Sequence, residues 1–333
     1  MSEVSEFPIP ETHVLAVASH VVYGYVGNTM ATFVMQSLGC EVSSINTVQL
    51  RYGQAKGTRA TASEISDLYQ GLRDSYLDSF DMMLSGYLPG AAAVEAVAFF
   101  WVLDPVMGDN GKLYVAEDVV PAYKALIKDA DLILPNQFEA ETLSGVKIVD
   151  MDSLKLAIST LHETYHVPHI MITSITLPTP GATASLAVVG STATTNSEPR
   201  MFSIRIPAID CFFSGTGDMF AALLLVRFRE AVFNTPGLSE TDAWRSDNDV
   251  KATELPLAQA AEKVLASMHA VLTKTKESRD LELELYKKKR ATGTDTPDGK
   301  KMKLVTSKAT EVRLVRNLGS LKNPNVQFRA EDV

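Results

Sequence analysis

The chain has 333 residues, of which 46% are hydrophobic, and its formal net charge at neutral pH is −9. This charge argues against general binding to nucleic acids or anionic membranes, because both need a basic protein surface. Cys40 and Cys211 are the only cysteines, too few for a disulfide framework or a four-thiolate zinc site. With neither a secretory signal nor an apolar stretch long enough to span a bilayer, we expect a soluble, intracellular globular protein.

The first predicted unit is a strand, a loop and a helix. Residues 14–18 (VLAVA) are continuously apolar, which is typical of a strand buried on both faces of a parallel sheet. After a loop, apolar residues recur at helical spacing from Met30 to Leu38, which predicts an amphipathic helix. Asn28 is the expected N-cap of this helix, and Gly39 is expected to end it.

The alternation of strand and helix continues along the chain. Further strands are predicted at residues 42–48, 81–86, 99–106, 132–135 and 169–174, with helices from Ser63 and around Phe138. Such alternation predicts an α/β fold with a mostly parallel, doubly wound central sheet flanked by helices and joined by right-handed crossovers.

Polar side chains stand at or just after the carboxyl ends of the predicted strands. They are Ser19, Tyr87, Asp104, Asp109, Asn136, Glu139, Thr173 and Ser174. Any one of them could simply end a strand or cap a helix. Because open sheets bind ligands beyond the carboxyl ends of their strands, we expect the set to converge on one site.

Residues 162–166 (HETYH) formally match the HExxH zinc motif, on a helix predicted to begin near Asp152. In a zinc hydrolase both histidines would bind the metal and the glutamate would activate water. Here the histidines lie at the edge of the buried stripe of the helix, close to its end, and no third ligand follows in a suitable context. We therefore interpret this segment as structural.

Gly215, Thr216, Gly217 and Asp218 directly precede a helix that is apolar almost all round. Successive backbone N–H groups at a glycine-rich turn and a helix N-terminus form an anion site. Asp218 could there accept the proton of a hydroxyl group that attacks the γ-phosphate of a nucleotide. The alternative is an aspartate that only interacts favourably with the helix dipole.

Two other nucleotide-binding motifs are excluded. The dinucleotide fingerprint GxGxxG fails because Phe220 occupies the third small position, and the sequence contains no GxxxxGK[ST] P-loop. An anion site at residues 215–218 would therefore belong to another class of phosphate-binding protein.

The composition changes after about residue 273, where LELELY is followed by KKKRATGTDTPDGKKMK. We interpret residues 287–303 as a charged, mobile surface insertion, with a nuclear import signal as the alternative. A strand-like or short helical pattern resumes over residues 304–315. The predicted organisation is a polar N-terminal tail (1–12) and a single domain (13–333) that carries this insertion.

Six motifs stand in a definite order between about residues 13 and 275. They are SHVVYGYVGN (19–28), LSGYLPG (84–90), VLDPVMGD (102–109), LPNQFEAETLSG (134–145), ITS (172–174) and SGTGDMFAALLL (214–225). Together they resemble the pyridoxal kinases of the ribokinase-like superfamily. The GTGD and NxxE elements are general to the superfamily, whereas the first and fourth motifs point to its vitamin B6 branch.

The resemblance implies a ribokinase-like fold and ATP-dependent phosphorylation of the 5′-hydroxymethyl group of pyridoxal, pyridoxine and pyridoxamine. It also implies Mg²⁺, a monovalent cation, usually K⁺, and a homodimer. From the composition we expect a cytoplasmic location, with nuclear entry as the alternative if residues 287–303 act as an import signal. By position in the motifs, Asp218 resembles the catalytic base, and Gly215, Thr216 and Gly217 the anion hole. The remaining implied roles are metal and phosphate organisation for Asp104, Asp109, Asn136 and Glu139, ATP contacts for Asp104, Tyr114, Thr173 and Ser174, and contacts to the pyridine ring for Ser19, Val26 and Tyr87.

Two segments depart from the family pattern. Relatives read approximately V-Q-[FY]-S-N-H-T-G-Y after the second strand, whereas this chain reads VQLRYGQAKG from Val48 to Gly57 and lacks the SNHTG portion. The connection at residues 88–98 is also short for a parallel crossover with a full helix. As a hypothesis, both losses reflect alternative splicing or gene prediction. Two alternative functions therefore stay open. One is a kinase for hydroxymethylpyrimidine, and the other is a catalytically impaired binding or regulatory protein.

Overall fold

The computed structural model describes residues 7–50, 57–87, 99–116, 119–175, 185–291 and 299–333. Its strands are β1 Thr12–Val21, β2 Cys40–Leu50, β3 Gly57–Arg59, β4 Met82–Ser85, β5 Phe100–Leu103, β6 Gly108–Asp109, β7 Lys112–Leu113, β8 Leu132–Ile133, β9 His169–Ile175, β10 Ser185–Ala193, β11 Pro199–Pro207 and β12 Glu331–Asp332. Its helices are α1 Asn28–Ser37, α2 Ala62–Asp74, α3 Val119–Leu126, α4 Gln137–Ser144, α5 Met151–Tyr165, α6 Thr216–Phe233, α7 Pro256–Ala291, α8 Gly299–Ala309 and α9 Leu318–Lys322.

A 10-stranded sheet runs through the molecule in the order β12-β11-β10-β9-β8-β5-β4-β1-β2-β3. Its centre, from β2 to β9, is parallel, as the sequence predicts. Both edges are antiparallel: β10 to β12 on one side and β3 on the other. Strands β10 and β11 are not among the predicted strands, although residues 202–206 of β11 (FSIRI) alternate between apolar and polar side chains, as strands do.

Apolar side chains of the strands pack alternately on the two faces of the sheet. Val14 and Ala16 of β1 belong to a core cluster that also contains the buried faces of α1, α6 and α7. Leu15 and Val17 point to the opposite cluster, which is completed by α2, α3, α4 and α5. The result is a three-layer α/β/α domain in which the carboxyl ends of the parallel strands share one edge.

Residues 7–12 do not form a free tail, contrary to the predicted boundary at residue 13. Strand β1 begins at Thr12, and Ile9 is only 3% exposed within the core. Phe7 packs so closely on Gly39 that a Cβ atom there would lie 2.5 Å from the Phe7 ring. The apolar side chains of Phe7 and Ile9 therefore attach this segment to the domain.

The segment predicted as a mobile insertion is helical where the structure describes it. Residues 287–291 continue the 36-residue helix α7, and residues 299–303 begin α8. Leu, Glu and Lys are good helix formers, and the i,i+4 pair of Lys276 and Asp280 supports the helix further. Residues 292–298 lie outside the described part of the chain. Within that part, no helix is both long and apolar enough to cross a membrane.

Candidate active site

Helix α6 begins at the carboxyl edge of the sheet with Gly215 as its N-cap. Gly215 has a φ of 76°, and a Cβ atom there would lie 2.2 Å from the Tyr25 carbonyl oxygen, so the position requires glycine. The helix is buried continuously from Met219 to Val232, which fixes its first turn in space. Backbone N–H groups in that turn have no partner within the helix and are oriented to bind an anion.

Asp218 lies in this first turn, next to the anion site. Burial raises the pKa of its carboxyl group to about 6, although a hydrogen bond from the backbone N–H of Gly27 lowers it in part. At neutral pH the group is therefore mostly ionised and yet a stronger base than an exposed aspartate. Those two properties are what a general base needs near neutral pH.

Asp104 lies just after β5, where its backbone N–H donates a 2.8 Å hydrogen bond to the Ser85 carbonyl. Burial raises the pKa of its carboxyl group well above the usual range, and the nearby charges of Glu139 and Asp218 raise it further. Three carboxyl groups thus share one buried region, where like charges repel. A cation at this position would relieve that repulsion.

Asn136 and Glu139 form a reciprocal capping box at the start of α4. The Asn136 side chain accepts a hydrogen bond from the Glu139 N–H, and Glu139 Oε2 accepts one of 2.9 Å from the Asn136 N–H. Glu139 Oε1 also accepts from Met107 and Gly108, and Asn136 Nδ2 donates to the Gly108 carbonyl at 2.7 Å. Burial raises the Glu139 pKa to about 7, against the lowering effect of these N–H groups.

This network holds the turn between β5 and the β6–β7 hairpin. The turn leads directly into β6, which consists of Gly108 and Asp109. Glu139 and Asn136 thus position the turn before Asp109, a role that their residue types alone did not reveal. In the described part of the chain, no three Asp, Glu, His or Cys side chains group closely enough to hold a metal by themselves.

A cavity of about 530 Å³ lies above the anion site. Its lining includes most of the residues that the sequence singled out: Val26, Asp104, Asp109, Tyr114, Asn136, Glu139, Thr173, Ser174, Gly215, Thr216, Gly217 and Asp218. Val106, Leu134, Phe212, Phe213 and Ser214 complete the described lining. The expected convergence of polar strand ends on one site is thus present in the geometry.

Ser19 and Tyr87 are not among the residues that line this cavity. A Cβ atom on Gly27 would lie 2.4 Å from Ser19 Oγ, and Gly27 is the residue whose N–H binds Asp218. The Tyr87 carbonyl accepts a 2.7 Å hydrogen bond from Thr47 Oγ1. Residues 51–56, in the segment that departs from the family pattern, lie outside the described part of the chain, as do residues 88–98.

The prediction that Asn28 is the N-cap of α1 is wrong, because Gly27 occupies that position. The Asn28 side chain is 2% exposed and donates hydrogen bonds to strand carbonyls, including that of Ile45 at 2.9 Å, and to Asn46 Oδ1 at 2.9 Å. It therefore ties β1 to β2 beneath the loop that carries Gly27. Its acceptors lie 10 to 18 residues away in sequence, so a local motif could not reveal this task.

A second cavity, of about 240 Å³, adjoins the first. It shares Thr173, Ser174, Phe213, Thr216 and Gly217 with the first cavity, and its other walls come from β10, β11, the loop before α6, α6 and α7. The walls that sequence reasoning missed include Ile209, Leu265, Met268, His269 and Leu272. The apolar members of this set resemble ordinary core residues, and His269 stands alone in a helical pattern, so the sequence carried no signal for these walls.

The HExxH segment has no such geometry. His162 is fully buried on α5, where its Nδ1 contacts the Val167 carbonyl at 2.7 Å and its Nε2 contacts Ser191 Oγ at 2.9 Å. Burial lowers the pKa of its ring to about 4. With both ring nitrogens engaged, His162 connects α5 to β10, and His166 ends the helix in a left-handed conformation.

Known proteins are similar to this chain in sequence and in fold. A family model described as phosphomethylpyrimidine kinase matches residues 90–230. Human pyridoxal kinase is 35% identical over 292 residues, covering 80% of this chain and 86% of the human protein, and the pig enzyme is 34% identical over 292 residues, covering 80% and 83%. The structure of Leishmania donovani pyridoxal kinase with ADP and pyridoxamine matches with a TM-score of 0.73 and 26% identity, covering 97% of this chain and 100% of that one. The chain therefore belongs to the pyridoxal kinase family, within the ribokinase-like superfamily.

Proposed function

We propose that this protein transfers the γ-phosphoryl group of ATP to the 5′-hydroxymethyl group of pyridoxal, and also of pyridoxine and pyridoxamine. The observation that carries the proposal is the buried, ionisable Asp218 beside the anion site at the start of α6, in a member of this family. Similarity to enzymes that are named pyridoxal kinases, one of them solved with ADP and pyridoxamine, supports the choice of substrates.

In the proposed reaction, Asp218 accepts the proton of the substrate hydroxyl as that oxygen bonds to the γ-phosphorus. The bond from the γ-phosphorus to its bridging oxygen breaks, and ADP leaves with the electron pair. N–H groups at Gly215, Thr216 and Gly217 stabilise the negative charge on the transferred group. The products are ADP and the 5′-phosphate of the vitamer.

The donor set fits Mg²⁺ held partly by water. Magnesium usually binds proteins through one or two carboxylates and completes its shell with waters and substrate phosphates. Asp104 and Asp109 would supply those carboxylates, while Asn136 and Glu139 would act through the turn that they hold. When bound, the ion would neutralise charge on the phosphates. The monovalent cation and the homodimer that the resemblance implies remain expectations.

The smaller cavity is suited to the base of ATP. Its walls are mostly apolar, and it opens onto the anion site through Thr216 and Gly217, so a base there would be joined to phosphates in the larger cavity. Thr173 and Ser174 line both cavities and would contact the part of ATP between them. Tyr114 lines the larger cavity and would contact ATP from the opposite side.

The pyridine ring would lie on the side of the larger cavity formed by Val26, where Ser19 and Tyr87 would also contact it. The same loop provides the Gly27 N–H that binds Asp218, so the hydroxymethyl group would be brought towards the base. Since the SNHTG portion is missing, this side has fewer sequence-matched contacts than the family pattern provides.

A second candidate is a kinase for hydroxymethylpyrimidine. The match of residues 90–230 to a phosphomethylpyrimidine kinase model favours it. It uses the same base and anion site and differs in the ring that is held. The sequence relatives that cover most of the chain favour pyridoxal, which is why we place it first.

The test is a direct comparison of the two substrates with purified protein, Mg-ATP and K⁺, with product separated by chromatography. We expect phosphorylated pyridoxal, with less turnover of hydroxymethylpyrimidine. Turnover of the pyrimidine alone would overturn the first proposal in favour of the second. ADP binding without turnover of either would indicate a binding or regulatory protein.

A further inference from the structure

The smaller cavity contains a histidine that the proposed mechanism does not use. Among its described lining residues, Leu186, Val188, Leu265 and Leu272 are apolar, and His269 of α7 is the only side chain that carries nitrogen. The hydroxyl residues Thr173, Ser174 and Thr216 also line the larger cavity and so lie on the phosphate side. His269 lines only the smaller cavity, away from the phosphates.

The His269 ring is held by a ring contact, and its nitrogens have no hydrogen-bond partner among the described residues. Its ring meets that of Phe328 edge-on, with centroids 5.1 Å apart and planes at 72°. The His269 side chain is partly exposed, so water can reach its nitrogens in the free protein, and a ligand that displaces this water from the apolar cavity can take over the hydrogen bonds. A neutral imidazole offers one donor and one acceptor, and the edge of a purine offers both kinds of partner.

The C-terminal segment fixes Phe328 in turn. The neighbouring Ala330 N–H donates a 2.9 Å hydrogen bond to Glu262 of α7, and Arg329 pairs with the same carboxylate. Strand β12 then joins the edge of the sheet by pairing with β11. The ring that contacts His269 is thus anchored on both sides of the cavity, to α7 and to β11.

We propose that His269 is a specificity-determining residue that hydrogen-bonds the purine base of the nucleotide, with Phe328 as its positioning residue. This inference rests on the proposed function in one respect, namely that the nucleotide occupies the smaller cavity with its base. It assigns the recognition of the base to α7 and the C-terminal segment, whereas α6 binds the phosphates.

The experiment measures binding of Mg-ADP and of Mg-tripolyphosphate, which has phosphates but no base, by isothermal titration calorimetry. The variants are His269→Leu, which removes both nitrogens, and His269→Gln, which restores hydrogen-bonding capacity. His13→Leu is the matched control, because His13 lies on β1 and lines neither cavity. Phe328→Ala tests the positioning role, and thermal melting confirms that each variant is folded.

We expect His269→Leu to weaken ADP binding about fivefold, the loss of one hydrogen bond, and to leave tripolyphosphate binding unchanged. His269→Gln should recover most of the affinity, and Phe328→Ala should weaken ADP binding about twofold. Unchanged ADP binding in His269→Leu, or equal weakening of tripolyphosphate, would overturn the inference. If His269→Leu weakens the binding of ADP but not of tripolyphosphate, and the wild type phosphorylates no vitamer, the proposed function fails while the inference stands.

Discussion

The phosphate side and the ring side of the larger cavity are built from different kinds of contact. On the phosphate side, the Glu139 carboxylate accepts hydrogen bonds from backbone N–H groups of two segments. Helix α6, which begins at the anion site, is buried in the core. On the proposed ring side, Ser19, Val26 and Tyr87 are partly exposed. The first side is held by buried hydrogen bonds, whereas the second lies closer to the protein surface.

The difference indicates where function can change without loss of the fold. A residue such as Glu139 cannot change without leaving buried N–H groups without partners, which is costly. Exposed loops in general tolerate deletion more readily. A chain with a shortened ring side can therefore keep a complete phosphoryl-transfer side, and the two sides can be tested separately.

The largest expected effect is on the phosphate side. Asp218→Asn should lower kcat about 1,000-fold because the amide cannot accept the hydroxyl proton, while ADP binding stays close to that of the wild type. A coupled assay for ADP release with saturating pyridoxal measures the rate. Asp210→Asn, an exposed aspartate eight residues earlier, is the matched control. A nearly unchanged rate in Asp218→Asn would remove Asp218 from the mechanism.

Glu139→Gln should reduce kcat/KM for ATP about 10- to 100-fold. Glutamine has a single acceptor oxygen, so either the Asn136 N–H or the Met107 and Gly108 N–H groups lose their partner, and the turn to Asp109 loosens. The variant should also melt at a lower temperature. Glu163→Gln, at an exposed site on α5, controls for the loss of charge. Wild-type kinetics in Glu139→Gln would contradict the positioning role.

The pH profile should follow the raised pKa of Asp218, about 6. A base must be ionised, so kcat/KM should be constant above about pH 7 and fall about tenfold per unit below pH 6. The same raised pKa means that the folded protein binds a proton more tightly than the unfolded chain, so this group's contribution to stability falls as pH rises from about 4 to 6. Asp218→Asn should therefore be more stable than the wild type at pH 8, by about 3 kcal/mol, and nearly equal to it at pH 4.

Urea unfolding at both pH values measures this stability difference. A stability gain that is equal at pH 4 and pH 8 would show that it comes from packing rather than from the titration of Asp218. A rate profile that is flat down to pH 5 would contradict the assigned base.

The smallest expected effect comes from adding the missing family segment to the ring side of the cavity. Inserting Ser-Asn-His-Thr between Leu50 and Arg51 should lower KM for pyridoxal about fivefold, the gain of one hydrogen bond, and leave KM for ATP unchanged. An insertion of Gly-Ser-Gly-Ser at the same place is the matched control for loop length. If both insertions have the same effect, side-chain contacts from this segment do not limit substrate binding.

Sequence patterns predicted the parallel centre of the sheet and most of the residues around the larger cavity, because both follow from local signals. Apolar runs mark buried strands, and polar residues at their carboxyl ends meet at one edge. The task of Asn28 was missed because its acceptors are carbonyls on two strands. His269 and Phe328 were missed because they meet only when the C-terminal segment folds back onto α7.

The end of α7 shows why composition alone can mispredict local structure. Charge and a few glycines and prolines suggested a loop, but helix propensity and anchoring by the C-terminal segment prevail over much of that stretch. Arg313 pairs with Glu282 and so fastens the extended helix to the chain that returns after α8. Composition alone did not reveal that partner, which lies 31 residues away.

Gly27 connects proton affinity to ligand binding. Its N–H binds Asp218, its carbonyl accepts the first hydrogen bonds of α1, and it lies against Ser19 at the edge of the proposed ring site. A ligand that shifts this loop changes the strength of one hydrogen bond to the carboxylate and with it the protonation of Asp218. Vitamer binding near pH 6 should thus exchange a fraction of a proton with the buffer, and its measured heat should depend on the buffer's ionisation enthalpy.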